Sequence, residues 1–246
     1  MKLFAGERLD KLFFGGYQII QHEEEFAFSL DAVLLAHFAK VGRKCQAIDL
    51  GTGTGVIALL LAARGAQTVT GLEVNTRMAG LAKRSVDLNN LGNRIRILEA
   101  DYRYPRQLLP LLAAGSADLV VANPPYRVVG SGVQNAKQSV ASARHELSAA
   151  LADVVAAAAF WVKYRGRFAM VHLPERMTEI LGLMNQNGLE PKRLRLVYPA
   201  IDKPANMLLV EGIRGGKAGL EVLSPLIAHN SDGSYSDEIK RLYFGP

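Results

Sequence analysis

Apolar runs of strand length alternate with amphipathic stretches of helical spacing along most of the chain. Strands that alternate with helices in this way predict a parallel, doubly wound sheet with helices packed against it. The predicted strands cover residues 47–50, 68–73, 94–100, 118–122, 167–173, 193–198 and 207–212. The predicted helices cover residues 56–64, 76–89 and 147–163, and one more helix is opened by Pro174 and closed by Gly188.

The first 45 residues do not follow this alternation. Residues 17–21 predict a short strand, and Ser29 fits as the N-cap of a helix that runs to Phe38. Residues 127–146 have weak periodicity and many small polar side chains, which predicts a long loop. Loops of that length inside compact domains are usually functional or mobile. The stretch from Gly215 onward has the weakest pattern of all.

Composition narrows the class of protein. Hydrophobic residues make up 49% of the 246 residues, which is enough to bury the core of one α/β domain. The one cysteine, Cys45, excludes an internal disulfide and indicates a reducing cytoplasm. Asp49 and Asp153 interrupt the longest apolar runs, so no membrane attachment is expected. The formal net charge of +6 favours an anionic partner, and nucleic acid is the commonest one.

A glycine-rich turn, Gly51-Thr52-Gly53-Thr54-Gly55, lies between the first predicted strand of the repeat and its helix. Glycines there allow a sharp turn and a close approach of the backbone to a ligand. The dinucleotide fingerprint needs a glycine three places after the second one, where this chain has Val56, which argues against a nicotinamide cofactor. Asp49, just before the turn, would repel a pyrophosphate and could bind the cationic amino acid portion of a ligand.

Two more carboxylates follow the next two predicted strands. Glu73 can accept hydrogen bonds from both ribose hydroxyls of an adenosine, and Asp101, with Tyr102 beside it, can accept from the adenine amino group. Each of these alone would more often be a solvated acidic residue at a strand end. Together with the glycine turn they converge on one crevice, which favours S-adenosylmethionine as the cofactor.

The fourth predicted strand of the repeat ends at the tetrapeptide Asn123-Pro124-Pro125-Tyr126. An exocyclic amino group on a conjugated ring, or a side-chain amide, is a poor nucleophile because its lone pair is delocalised. The Asn123 side-chain oxygen and the Pro124 carbonyl can accept its two N–H bonds and localise that lone pair, while Tyr126 offers a stacking face. Methyl transfer then needs positioning and electrostatics and no dedicated general base. The alternative is an ordinary turn.

At this point the chain resembles the class I methyltransferases that carry this tetrapeptide, over nearly all of its length. More narrowly, it is similar to the bacterial tRNA (adenine-N6) methyltransferases that modify the adenosine beside the anticodon of a valine tRNA. The resemblance rests on residues 28–35, 49–55, 123–126, 143–146 and 190–193.

The resemblance implies an α/β fold with a Rossmann-like sheet, mostly parallel with one antiparallel strand, and helices on both faces. It implies tRNA as the partner, no metal and no obligate protein partner. It divides the chain into a cap segment over the cofactor site (1–45), a methyltransferase domain (46–214) and a C-terminal extension (215–246), with Phe28 and Asp31 closing over the cofactor. The full predicted cofactor-binding set is Phe28, Asp31, Asp49, Gly51, Thr52, Gly53, Gly55, Glu73, Asp101, Tyr102 and Asn123.

Basic residues supply candidate contacts to RNA phosphates. The candidates are Arg127, Lys137, Arg144, His145, Lys192, Arg193, Arg195 and Lys203. Strand alternation would place Arg193 and Arg195 on one face of a late strand. The alternative is that these residues guard an exposed strand edge, and that His145 makes a structural hydrogen bond.

Other functions compete for the same features. Protein-glutamine methyltransferases of release factors use the same tetrapeptide, but they usually carry a helical domain ahead of the glycine turn, and only 50 residues precede Gly51 here. Ribosomal RNA methylation at adenine or guanine stays open. A DNA methyltransferase would need room for a target-recognition domain. A non-catalytic RNA-binding module would not need the intact tetrapeptide.

Overall fold

The computed structural model describes residues 2–25, 28–126 and 140–245, with the side chains of 140–149 left out. The strands are β1 (Glu7–Leu12), β2 (Tyr17–His22), β3 (Gln46–Leu50), β4 (Thr68–Glu73), β5 (Ile95–Glu99), β6 (Ala117–Ala122), β7 (Val162–His172), β8 (Leu189–Tyr198), β9 (Met207–Arg214), β10 (Glu221–Val222) and β11 (Leu226–Ile227). The helices are α1 (Leu30–Phe38), α2 (Val56–Ala63), α3 (Thr76–Leu88), α4 (Val140–Trp161), α5 (Met177–Gln186) and α6 (Asp237–Phe244).

Within the described residues, nine strands form the central sheet in the order β5-β4-β3-β6-β7-β9-β8-β10, and β11 also pairs with β8. Strand β9 runs antiparallel to both of its neighbours, β7 and β8, while the other pairs are parallel. The predicted mostly parallel sheet with one antiparallel strand is confirmed in the described part of the chain.

Successive residues of the central strands enter two separate cores because side chains alternate across a sheet. On β6, Leu119 and Val121 pack with α1 and α2, whereas Val120 and Ala122 pack with α4 and with the fully buried Trp161. Helices therefore cover both faces, as predicted, and the strand ends lie between the two helical layers.

Three predicted boundaries are wrong. Helix α4 begins at Val140 instead of residue 147, because alanines and other good helix formers continue it backwards without a clear apolar stripe. Strand β7 begins at Val162 instead of residue 167, since a register shift against β6 accommodates its irregular first half. Strand β8 begins at Leu189, and a second register shift, beside Pro191, lets the strand start before residue 193.

At the N-terminal end, the strand predicted over residues 17–21 is confirmed as β2, but β1 was not predicted, and at the C-terminal end neither the short strands β10 and β11 nor helix α6 were predicted. Strands β1 and β2 form a separate antiparallel hairpin, and β2 packs on α3, where the Ile20 amide donates to Ser85 Oγ at 3.0 Å. Helix α6 begins after Ser236, whose hydroxyl oxygen accepts from the Ile239 amide, and Phe244 packs edge-on against Phe13 at 5.0 Å between ring centroids. The division of the chain at residues 45 and 214 stays a prediction. No helix within the described ranges is long and apolar enough to cross a membrane.

Candidate active site

Five neighbouring parallel strands, β3 to β7, end at the same edge of the sheet. Ligands of open α/β sheets bind outside the carboxyl ends of the strands. The register pairs Leu50 at the end of β3 with Ala122 at the end of β6, so the glycine turn and Asn123 leave adjacent strands side by side. Glu73 ends β4 on the other side of β3.

The glycine turn has the backbone geometry that its sequence suggests. Gly51, Gly53 and Gly55 have φ angles of 70°, 57° and 89°, a region that other residues rarely adopt. The turn also lies tightly on β4, where a Cβ on Gly71 would come within 2.8 Å of the Thr52 methyl group. Because Gly71 has no side chain, the turn can lie directly against β4, and this close contact fixes its position.

Asp49 is fully buried beneath this turn. The Thr52 hydroxyl donates to its Oδ2 at 2.6 Å, while Oδ1 has no hydrogen-bond partner within the described part of the chain. Burial raises the pKa of Asp49 to about 7, and the nearby Glu73 carboxylate adds to the rise. An unpaired buried carboxylate oxygen is costly unless a donor reaches it. The arrangement fits the cationic amino group of an amino acid ligand.

Glu73 is held between the glycine turn and α3. Its Oε2 accepts from the Gly53 amide and its Oε1 from the Asn75 amide, both at 2.8 Å. Each carboxylate oxygen has a second lone pair for a further donor. The side chain is only 9% exposed, so it is fixed and is suited to bind a pair of hydroxyl groups.

The Asp101 carboxylate is occupied by a neighbouring side chain. Arg103 donates to it from Nε at 3.0 and 2.9 Å and from Nη2 at 2.6 Å, and these bonds hold the pKa of Asp101 below its usual range. The predicted contact with an adenine amino group would have to share this carboxylate with Arg103. Tyr102 is partly buried and packs near Gly51, where burial raises the pKa of the Tyr102 hydroxyl.

The tetrapeptide contacts the N-terminal segment directly. The Tyr126 hydroxyl oxygen lies 2.8 Å from Asn123 Oδ1 and 2.8 Å from Asp31 Oδ2. Asp31 is 9% exposed, and its Oδ1 accepts from the Ala32 amide at 2.8 Å and from the Ser29 hydroxyl. Asp31 thus contacts the tetrapeptide, and its predicted contact with the cofactor stays a prediction.

His172, the last residue of β7, belongs to the site although it was not predicted from the sequence. Its ring packs edge-on against Tyr126 at 5.3 Å between centroids, and it is 3% exposed. Its Nδ1 accepts from the Leu173 amide at 2.8 Å, and burial together with the Arg176 charge lowers the pKa of His172 to about 4. The imidazole is therefore neutral, with its proton on Nε2. A polar residue ending the strand next to β6 was the available signal.

Phe28 lies at the start of α1 and packs against the core between α1 and α2. Its amide donates to Gln21 Oε1 at 2.7 Å, which ties the entry of α1 to the hairpin. Its predicted contact with the cofactor stays a prediction.

Three of the predicted RNA-binding residues make contacts within the protein. Arg195 forms a two-pronged ion pair with Glu238 of α6 at 2.6 and 2.9 Å. Arg193 reaches the buried Glu211 at 3.3 Å, and Lys192 donates to the backbone of Lys217 at 3.1 Å. Strand β8 lies between β9 and the short strands β10 and β11, so the alternative interpretation as edge guards is wrong for these residues.

Lys203 lies in the connection from β8 to β9, at the carboxyl edge of the sheet, where its Nζ is 3.8 Å from Asp202 Oδ2 and its side chain is 62% exposed. Arg127 and Lys137 lie outside the described residues, as do the side chains of Arg144 and His145. Lys203 is thus the predicted RNA contact that the described structure leaves exposed at the site edge.

A cluster of basic side chains lies at the opposite edge of the sheet. A cleft of about 520 Å³ opens at the amino ends of β3, β6 and β7. Its one lining carboxylate is Asp118, and its lining cations are Lys40, Arg64, Lys163, Arg165 and Arg167.

The sheet order and the polar groups at its carboxyl edge define a class I methyltransferase. A crystal structure described as a predicted O-methyltransferase, protein Atu636 from Agrobacterium tumefaciens, is similar, with a TM-score of 0.70 and 26% identity over 87% of this chain and 96% of that one. The chain belongs to the methyltransferase small domain family, whose model matches residues 29–162. Among the residues described, no cluster of side chains is suited to hold a metal ion.

Curated relatives match most of the chain. A protein of Aeromonas salmonicida is 29% identical over 221 residues, 86% of each chain, and one of Parabacteroides distasonis is 27% identical over 184 residues, 74% of each chain. Both are named tRNA1(Val) (adenine(37)-N6)-methyltransferase.

Proposed function

We propose that this methyltransferase transfers a methyl group from S-adenosylmethionine to the exocyclic N6 of an adenosine in tRNA, in the anticodon loop of a valine tRNA. The observation that carries the proposal is the placement of Asn123, next to the glycine turn and at the head of a Pro-Pro-Tyr sequence. The names of the relatives supply the RNA and the base. A tRNA substrate also fits the cytoplasmic location that the single cysteine indicates.

The residues around the glycine turn fit this cofactor. Asp49 Oδ1, buried and without a partner in the described structure, suits the amino group of the methionine portion. Glu73 suits the ribose hydroxyls because it is fixed by two amides and keeps free lone pairs. When bound, the cofactor supplies an electrophilic methyl group on sulfur.

Asn123 and Pro124 perform the activation. The Asn123 side-chain oxygen and the Pro124 carbonyl accept the two N6–H bonds, which localises the nitrogen lone pair for attack on the methyl carbon. The carbon–sulfur electron pair stays on sulfur, and the methylated nitrogen loses one proton to water. Since charge develops on nitrogen during this step, fixed acceptors stabilise the transition state more than the ground state.

The target adenine must leave its stack to reach Asn123. Unstacking costs least in a single-stranded loop, which favours an anticodon loop over a duplex. Tyr126 is half-buried, and its ring offers a flat surface on the way to Asn123.

The test uses the cofactor with a labelled methyl group and three separate acceptors: tRNA, ribosomal RNA and release factors. We expect label in tRNA, recovered as N6-methyladenosine after digestion to nucleosides. Label in ribosomal RNA or in protein, with none in tRNA, would reject the tRNA assignment. The Asn123→Ala variant should lose methyl transfer and keep its affinity for the cofactor, and normal turnover by this variant would contradict the mechanism.

A further inference from the structure

The Tyr126 hydroxyl lies between two oxygen atoms, Asp31 Oδ2 and Asn123 Oδ1, each 2.8 Å away. A phenol carries one hydrogen and can donate to only one of them. At the other contact, the Tyr126 oxygen would then face a second oxygen with no hydrogen between them. The group on the far side of that contact must therefore supply the hydrogen and donate it to the Tyr126 oxygen.

The Asp31 carboxylate is the stronger acceptor of the two. A hydrogen bond to an ionised carboxylate is about twice as strong as one to a neutral amide oxygen. Burial and the Asp31 charge also raise the pKa of Tyr126 far above its ordinary value, so the phenol keeps its hydrogen. The hydroxyl therefore donates to Asp31, and its oxygen is left as an acceptor facing the Asn123 amide.

The amide of Asn123 can meet that acceptor after a half turn about its terminal bond. The oxygen and nitrogen of an asparagine have almost the same shape, so their hydrogen-bond partners decide the orientation. In the part of the chain that the structure describes, the Tyr126 hydroxyl is the hydrogen-bond partner found for this side chain. With Nδ2 toward Tyr126, a relay forms in which Asn123 donates to Tyr126 and Tyr126 donates to Asp31.

We propose that Asp31 is a positioning residue that acts through the Tyr126 hydroxyl to turn the Asn123 carbonyl oxygen toward the amino group to be methylated. The proposal rests on the proposed function only for the identity of that amino group. In the other orientation Asn123 would present its own N–H bonds to the substrate N–H bonds, and the acceptor would be lost. The relay thus selects the orientation in which Asn123 is reactive.

Asp31 is well fixed for this role. Its other oxygen accepts from the Ser29 hydroxyl and the Ala32 amide, in the first turn of α1. The ring of Tyr126 is held from a second direction by the edge-on contact with His172. The relay joins residues 95 positions apart in sequence, so the N-terminal segment and the tetrapeptide orient each other.

The test is a double-mutant cycle on kcat with Asp31→Asn, Tyr126→Phe and the combination of both. Each single variant should lower kcat about tenfold, which corresponds to 1.4 kcal/mol in the barrier, with little change in KM for the RNA or in cofactor affinity. The double variant should be no worse than either single one, because both break the same relay. Tyr104→Phe, an exposed tyrosine of the same edge, is the matched control.

Two results would overturn the proposal. If Asp31→Asn weakens cofactor binding and leaves kcat unchanged, Asp31 contacts the cofactor instead. If the two losses in kcat multiply in the double variant, the residues act independently.

A second readout does not need the substrate. The Asn123 side-chain amide gives its own ¹H–¹⁵N resonances, which should shift and exchange faster with water in both Asp31→Asn and Tyr126→Phe. Unchanged resonances would reject the relay. A protein whose Asn123 resonances respond but which methylates no tRNA would refute the proposed function and leave the relay standing. Thermal unfolding and cofactor titration on each variant confirm that the fold is retained.

Discussion

Replacing Asp49 by asparagine tests the electrostatics of the cofactor site. The fully buried Asp49 carboxyl has its pKa raised from 3.8 to about 7, with burial as the main cause. Between these two values the folded state holds a proton that the unfolded state has lost, so stability falls as the pH rises. The Asp49→Asn variant keeps the side-chain shape and an acceptor for Thr52, but it does not ionise.

The magnitude follows from the size of the shift. The shift of about three units from 3.8 to about 7 corresponds to roughly 4 kcal/mol in total, at 1.36 kcal/mol for each unit. About two of the three pH units covered by this shift lie between pH 5 and pH 7, so roughly 3 kcal/mol of the stability difference between the two proteins develops over that interval. For a chain of this size 1 kcal/mol moves the melting temperature by about 2–4 °C. In the absence of cofactor, the melting temperature of Asp49→Asn relative to that of the wild type should therefore rise by roughly 5–10 °C as the pH is raised from 5 to 8.

The assay is thermal unfolding of both proteins, without cofactor, across that pH range. Asp202→Asn is the control, because this carboxylate is 70% exposed and its replacement should change the melting temperature little. A constant difference between wild type and Asp49→Asn at all pH values would refute the raised pKa. The same variant should bind S-adenosylhomocysteine more weakly, on the order of tenfold or more, because the ammonium group loses its charged partner.

Three further variants, two of them with a matched control variant, test other features of the structure. Gly71→Ala should destabilise the protein by about 1–3 kcal/mol, since its methyl group would overlap Thr52. The control Gly80→Ala, whose methyl group would lie in open space, should instead raise the stability of its helix by about 0.5–1 kcal/mol. Equal effects of the two variants in denaturant unfolding would contradict the close packing of the turn on β4. Lys203→Ala should reduce the slope of log Kd for tRNA against log salt by about one. Arg195→Met should lower the melting temperature and leave that slope unchanged. The reverse pattern would show that β8 contacts the RNA. Glu211→Gln removes the buried charged partner of two arginines, and should lower the free energy of unfolding in urea by about 3–5 kcal/mol. A decrease of less than about 1 kcal/mol would show that the charge is not needed.

The central strands and the glycine turn could be predicted because their signals are local. A buried parallel strand is a short apolar run, and a turn with positive φ angles at Gly51, Gly53 and Gly55 requires glycine. The parallel order then places the residue after each strand at one edge, so Glu73 and Asn123 were expected near each other.

The unpredicted elements have weak local signals. Strand β1, with the sequence Glu-Arg-Leu-Asp-Lys-Leu, is mostly exposed and gives little alternation to detect. Helix α6 has eight residues and depends on tertiary contacts such as the Arg195–Glu238 pair. The internal partners of Arg193 and Arg195 on β8 could not be predicted for the same reason, since Glu211 and Glu238 come from distant elements and no local pattern shows them.

Two carboxylates in the crevice differ in their surroundings, and this difference separates their roles. Asp31 receives hydrogen bonds from Ser29, Ala32 and Tyr126, so its charge is already balanced by donors from the protein. Asp49 receives one, from Thr52, and keeps a buried oxygen without a partner in the described structure. A carboxylate surrounded by donors is fixed and suited to orient a neighbour, whereas one that is short of donors gains most from a cationic ligand. The residue type placed Asp49 at the cofactor, and the resemblance to a methyltransferase family placed Asp31 there. Their hydrogen-bond partners support the proposed cofactor contact of Asp49 and the proposed role of Asp31 in the orientation of Asn123.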